Sequence, residues 1–116
     1  PSQGAIMVVC RKAEPAALEA CAHLNDSSTA LCTKIEKDFL RTLFGGCTTP
    51  ISALAELRND AIFFQGNILS PDGKQKLEIT INLPVSESNN LGVTAAQQLL
   101  NQGADKIVAA IRNAGV

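Results

Sequence analysis

Three runs between Ile51 and Leu83 alternate apolar with polar residues, and turns separate them. Ile51, Ala53, Ala55 and Leu57 share one side of the first run, and Arg58-Asn59-Asp60 ends it. Ile62, Phe64, Gly66 and Ile68 share one side of the second, ahead of the turn-forming string Ser70-Pro71-Asp72-Gly73. The third run is the clearest: Leu77, Ile79, Ile81 and Leu83 alternate with Glu78, Thr80 and Asn82. A period of two places every second side chain on one face of a sheet. The chain is therefore expected to form a three-stranded antiparallel meander with one face to bury.

The flanking sequence supplies helices for that face. Pro15 suits a first helical turn, where its missing N–H is not needed, and Ala17, Leu18, Cys21 and Leu24 then line one side. Asn25-Asp26-Ser27-Ser28 interrupts the pattern and offers N-cap oxygens. A second helix follows with Leu31, Ile35, Phe39 and Leu43 spaced by four and runs through Phe44 into Gly45, which can take the left-handed closing conformation. After a polar loop at 86–90, Leu91 to Gln102 reads as a helix stopped by Gly103. Ala104 to Asn113 reads as a last helix with Ile107, Val108 and Ile111 inward. Helices on one face of a small antiparallel sheet define an α+β fold. Gly4 to Val9 is a short apolar run that reads as a buried strand. The abrupt start, with a strand about to form, is expected of the cut end of a longer protein.

At 116 residues the chain is long enough for one domain with a core that needs no crosslinks. A charged fraction of only 18% suggests that part of the surface faces another domain. A net charge of −1 and aromatics limited to four Phe exclude the footprint of a nucleic-acid binder. No apolar run approaches the ~20 residues that span a bilayer, and Pro1-Ser2-Gln3-Gly4 is not a signal peptide. The four cysteines, Cys10, Cys21, Cys32 and Cys47, form no CxxC pair, and His23 is the one histidine, so no metal site is expected. Scattered free thiols in a cytoplasmic protein fit this pattern better than disulfides. Cys21 and Cys32 are expected to pack as small core or boundary residues, and Cys10 at a domain junction.

Cys47 stands apart from the other three. It lies in Gly45-Gly46-Cys47-Thr48-Thr49-Pro50-Ile51, directly after the helix Ile35–Phe44 and before the first strand. Two glycines give the backbone freedom for an unusual turn and for close approach of a bulky group. A thiol there suits covalent attachment better than packing. Because the segment follows a helix C-terminus, where the macrodipole disfavours negative charge, Cys47 is expected to titrate near the ordinary thiol value of about 8.5.

These strings, in their order and spacing, resemble the porphobilinogen deaminase (hydroxymethylbilane synthase) family, over essentially the whole chain and as its C-terminal third. Pro1-Ser2-Gln3-Gly4-Ala5 is similar to the end of the family's glycine-glutamine-glycine segment. Glu36 to Leu43 followed by Gly45-Gly46-Cys47 and Pro50-Ile51 resembles its cofactor-attachment signature. Pro71-Asp72-Gly73, Leu91-Gly92 and Leu99-Leu100-Asn101-Gln102-Gly103-Ala104 match later landmarks in order.

The resemblance implies that residues 1–10 are a terminal strand belonging to a preceding domain and that 11–116 form the C-terminal dipyrromethane-attachment domain. It implies that Cys47 holds dipyrromethane by a thioether, with Gly45, Gly46, Thr48 and Lys37 around the cofactor. On this primer four porphobilinogen units are condensed with loss of ammonia, and water releases hydroxymethylbilane for tetrapyrrole (haem) biosynthesis. Each unit reacts as an azafulvene, a carbon electrophile, and a thioether formed from it neither hydrolyses nor exchanges with other thiols. Lys37 stands where the family usually has arginine, keeping the charge but not the bidentate fork. The catalytic aspartate and most carboxylate-binding arginines are expected in upstream domains, so this chain alone should be inactive and carry a bare thiol.

Three other readings compete. Helix, three strands, helix is also the layout of double-stranded RNA-binding modules, against which the missing lysine cluster argues. A thiol hydrolase using Cys47 and His23 would lack an orienting partner. A structural subdomain would leave Cys47 idle.

Overall fold

The computed structural model describes residues 4–43 and 50–113. In chain order the elements are helices α1 (Pro15–Ala22) and α2 (Ser27–Thr42), strands β1 (Ile51–Arg58), β2 (Ala61–Leu69) and β3 (Lys76–Pro84), and helices α3 (Leu91–Leu99) and α4 (Asp105–Asn113). The strands form one antiparallel sheet in the order β1-β2-β3. The alternation expected from the sequence is the alternation observed. Ile51 and Ala55 of β1, Ile62, Phe64, Gly66 and Ile68 of β2, and Ile79 of β3 are buried under the helices. The class is α+β.

Registers follow from the turns. Arg58 pairs with Ala61 across a two-residue loop in which Asn59 and Asp60 have φ of 50° and 63°. This is the left-handed turn whose twist matches paired strands. Glycine takes that conformation without the Cβ penalty. Asp60→Gly is therefore expected to stabilise the fold by about 0.5 kcal/mol, raising the thermal midpoint by roughly 2–4 °C. An unchanged or lower midpoint in calorimetry would contradict this. The β2–β3 connection is fastened by side chains instead. The Ser70 hydroxyl donates to the Asp72 carboxylate and accepts the Gln75 N–H at 3.0 Å, while Asp72 accepts the Lys74 N–H at 3.0 Å. These bonds, that from Ser70 first, hold the Asp72 carboxyl below its ordinary value.

The core is built where α2 meets β2. Phe39 lies edge-on to Phe64 with ring centroids 5.1 Å apart, and its ring covers Gly66 so closely that a Cβ there would stand 2.7 Å from Cζ. Ile35, Phe39 and Leu43 are all buried to 1% exposure or less, as their spacing by four requires. The opposite, polar face of the sheet is held by cross-strand pairs, including Ser52 Oγ to Asn67 Oδ1 at 2.8 Å, and Arg58 stacks over Phe63 at 4.9 Å. Gly103, at φ 114°, breaks the α3–α4 run within Leu100–Ala104, so helix, break and helix fall where the sequence places them. Ile107, Val108 and Ile111 of α4 face inward.

Two expectations change. Gly4–Val9 forms no strand, and Ile6, Met7, Val8 and Val9 are 95%, 69%, 55% and 80% exposed. A lone apolar segment needs a paired neighbour to become a strand, and it pairs with none of the described strands. Helix α1 forms as expected, but its apolar side is uncovered: Ala17 and Cys21 are half-buried, while Leu18 and Leu24 are exposed. The spacing gives a face, and only a packed neighbour can bury it. The described part of α2 ends at Thr42 with Leu43 as its cap, and the expected last residue, Phe44, lies outside the described residues. The loop at 86–90 also contains a short 3₁₀ turn, Val85–Glu87, stitched by Ser88 Oγ donating to the Val85 carbonyl at 2.7 Å.

Candidate cofactor-attachment site

Gly45, Gly46, Cys47 and Thr48 lie in 44–49, outside the described residues. The two points between which they run are described, and both are fixed in the core. At one, the Leu43 N–H donates to the Phe39 carbonyl at 3.1 Å and the Leu43 side chain is 1% exposed. At the other, the Pro50 carbonyl accepts the Leu69 N–H at 2.9 Å, and Ile51 is buried opposite Ile68. The last of the four-spaced residues of α2 and the first alternating residue of β1 thus bracket the attachment string.

Lys37 is exposed on α2, about 9 Å of helix rise before Leu43. It stands where two grooves meet. One, of about 310 Å³, runs between segment 5–8, Leu24 and the α2 residues Thr29, Ala30 and Thr33. The other, of about 370 Å³, runs along α2 past Lys34, Asp38 and Arg41. Lys34 is engaged, 2.8 Å from Asp38 and 3.0 Å from the Asn89 carbonyl. Among the described residues, neither Lys37 nor Arg41 enters an ion pair. Arg41 lines the second groove with Lys37, and its i, i+4 spacing is the sequence signal that places the two on the same stripe of α2.

Glu36, next to Lys37, turns the other way. A pairing with nearby lysines is the simple expectation for it, yet it is 7% exposed and Oε2 accepts the Ala55 N–H at 3.1 Å. The Pro50–Leu69 bond sets the β1–β2 pattern, so the backbone groups of Ala53, Ala55 and Leu57 point to the free edge of the sheet. Glu36 blocks that edge, and the Leu57 backbone also hydrogen-bonds Cys32. Burial, then the nearby Glu36 carboxylate, push the half-buried Cys32 thiol above its ordinary value. Cys21 and Cys32 are boundary residues and Cys10 is exposed; all three are free thiols. His23 is exposed at the end of α1. Among the described residues, no group of three or more His, Cys, Asp or Glu could hold a metal ion, and no helix is long and apolar enough to cross a membrane.

Comparison with known proteins agrees with this geometry. Residues 30–101, spanning most of α2, the string at 45–48, the whole sheet and α3, match the family model described as porphobilinogen deaminase, C-terminal domain. The porphobilinogen deaminase of Syntrophotalea carbinolica is 36% identical over 109 residues, which cover 94% of this chain and 35% of that protein. That of Thermus thermophilus is 36% identical over 113 residues, covering 97% of the chain and 38% of the relative. That of a Synechococcus species is 37% identical over 109 residues, covering 94% and 34%. The chain spans about a third of the length of these curated relatives. With the attachment string set between α2 and β1 and the match running through both, the chain belongs to the porphobilinogen deaminase family, to the part formed by its C-terminal domain.

Proposed function

We propose that this chain carries a dipyrromethane primer on the Cys47 sulfur and that, with upstream domains, it serves the condensation of four porphobilinogen units to hydroxymethylbilane. The observation that carries this reading is Gly45-Gly46-Cys47 followed by Pro50-Ile51 inside the matched residues 30–101. When bound, dipyrromethane supplies the pyrrole carbon to which the next unit is joined. The chain's own contribution is to anchor and to hold. The Cys47 thiol makes the permanent bond, and Gly45, Gly46 and Thr48 provide the backbone around it. Lys37, with Arg41, meets carboxylates of the pyrrole units. The donor set fits such a ligand, since both cations stand on grooves open to solvent and lack ion-pair partners among the described residues.

Residues 1–10 then belong with the preceding domain and 11–116 form the attachment domain. The exposed apolar run Ile6–Val9 and the uncovered Leu18 and Leu24 support this, because water-facing apolar surface of that extent calls for a partner. A working thiol suits a reducing compartment, and we place the activity in the cytoplasm. The aspartate and arginines that complete the reaction belong to the upstream domains, so the chain alone is inactive.

The test is a mass measurement. With its upstream domains restored and porphobilinogen supplied, the peptide containing Cys47 should gain the mass of two condensed pyrroles. The chain on its own should keep an unmodified thiol. An active, complete enzyme with Cys47 bare would refute the assignment.

A further inference from the structure

Lys34, Lys37, Asp38 and Arg41 line one groove along α2. Three are cations and one is a carboxylate, so the groove holds an internal competitor for any carboxylate ligand. Helical spacing gives Asp38 two cationic neighbours, Lys34 four residues before it and Arg41 three residues after, while adjacent Lys37 does not face it. The fold shows which neighbour Asp38 takes. Lys34 Nζ lies 2.8 Å from Asp38 Oδ2, and among the described residues Asp38 makes no ion pair with Arg41. The Asp38 side chain is only 17% exposed and lies toward α3, since a Cβ added at Gly92 would stand 3.0 Å from its own Cβ.

That choice is fixed from outside the helix. Lys34 Nζ also donates to the Asn89 carbonyl at 3.0 Å, 55 residues away in the chain. Asn89 is a firm acceptor because its neighbour Ser88 is fully buried and bonded on both sides. The Ser88 hydroxyl donates to the Val85 carbonyl at 2.7 Å, and the Ser88 carbonyl accepts the Leu91 N–H at 3.1 Å. An ammonium group has three donors and no acceptor. One donor here goes to a fixed carbonyl and another to Asp38, which keeps both side chains on the α3 side of the groove.

We propose that Lys34 is a positioning residue for carboxylate recognition, holding Asp38 so that Lys37 and Arg41 stay open to the carboxylates of the pyrrole units. This role rests on the contacts proposed above for Lys37 and Arg41. Lys34 itself touches no ligand. With the pair closed, its opposite charges largely cancel and the groove presents two cations. Without Lys34, Asp38 turns to Arg41. A ligand carboxylate must then displace it from a guanidinium whose planar fork can hold it by two bonds.

The experiment is steady-state kinetics of the complete enzyme, with upstream domains restored, on Lys34→Met, Asp38→Asn, their double variant and Lys37→Gln. Lys34→Met is expected to raise KM for porphobilinogen about two- to fivefold, the range of one exposed ion pair, with kcat nearly unchanged. The double variant should return KM to the parent value although it also lacks the bond to Asn89. Asp38→Asn alone should leave KM where it is, since Lys37 and Arg41 are already open. In NMR spectra of the whole chain, exchange of the Arg41 Nε–H with water should slow in Lys34→Met and recover in the double variant. A parent KM in Lys34→Met would overturn the inference. So would a double variant as impaired as Lys34→Met, which would assign Lys34 to ligand contact or to holding the Asn89 loop. A lower KM in Asp38→Asn would overturn it in favour of the general field of the groove. Lys37→Gln separates the two readings. If it raises KM while Lys34→Met does not, only the positioning role fails; if neither moves KM, the carboxylate site itself fails.

Discussion

Replacing Cys47 by serine in the complete enzyme is expected to lower pyrrole condensation to about 1% or less, a loss of at least about 2.7 kcal/mol of transition-state stabilisation. A hydroxyl has almost no anionic form at neutral pH, whereas a thiol has a few per cent and is intrinsically far more nucleophilic. The variant would therefore fail to take up the primer rather than use it poorly. Stability should hardly change, because the bracketing residues Leu43 and Ile51 remain in the core. An unaltered thermal midpoint alongside lost turnover separates an anchoring role from a folding role. Lys37→Gln is the contrasting variant. Removing one exposed cation should raise KM several-fold and leave kcat nearly unchanged, the mark of lost uniform binding. Full activity of Cys47→Ser would leave the cysteine idle.

A methyl group added at Gly92 is expected to destabilise the fold by about 2 kcal/mol, and a valine there by more. Gly92 lies in the first turn of α3, where α3 crosses α2. A Cβ at this position would stand 2.9 Å from the Phe39 backbone nitrogen and 3.0 Å from the Asp38 Cβ, with the Ile35 carbonyl oxygen closer still. The nearest obstacles are backbone atoms, so no rotamer change relieves them. Two opposing effects must be weighed. Glycine to alanine inside a helix gains about 1 kcal/mol in propensity, while forcing two packed helices apart costs about 1–3 kcal/mol, occasionally more. Overlap with backbone puts this site at the upper end, so the clash wins. Urea unfolding of Gly92→Ala should show a lower midpoint with an unchanged slope. A midpoint equal to or above that of the parent would mean that the helices separate freely. The crossing matters for the attachment site because α2 ends at one bracket of the Cys47 string.

The two chemistries of α2 show how far the sequence could be read. Ile35, Phe39 and Leu43 recur by four, and their burial follows from that spacing alone. Lys37 and Glu36 are neighbouring charged residues that look equally solvated in the sequence. One is exposed on two grooves; the other is buried with its carboxylate on the Ala55 N–H. The difference comes from the free edge of β1, a partner 19 residues away in the chain. Likewise, the glycine at 92 reads as an ordinary helix residue until Ile35 and Phe39 of α2 are placed against it. The string Gly45-Gly46-Cys47-Thr48 lies outside the described residues, and its proposed attachment role rests on its order and adjacency in the sequence.

Local order was enough to settle which face of each strand is apolar, where the turns fall and which helices form. These depend on periods of two and about 3.6 residues and on short strings, all contained within a few neighbours. Tertiary structure alone decided what covers those faces. It left Ile6–Val9, Leu18 and Leu24 open, turned Glu36 onto a strand edge, and set α3 on the backbone of α2. Burial and juxtaposition are properties of pairs of elements, and a periodic pattern specifies only one member of each pair.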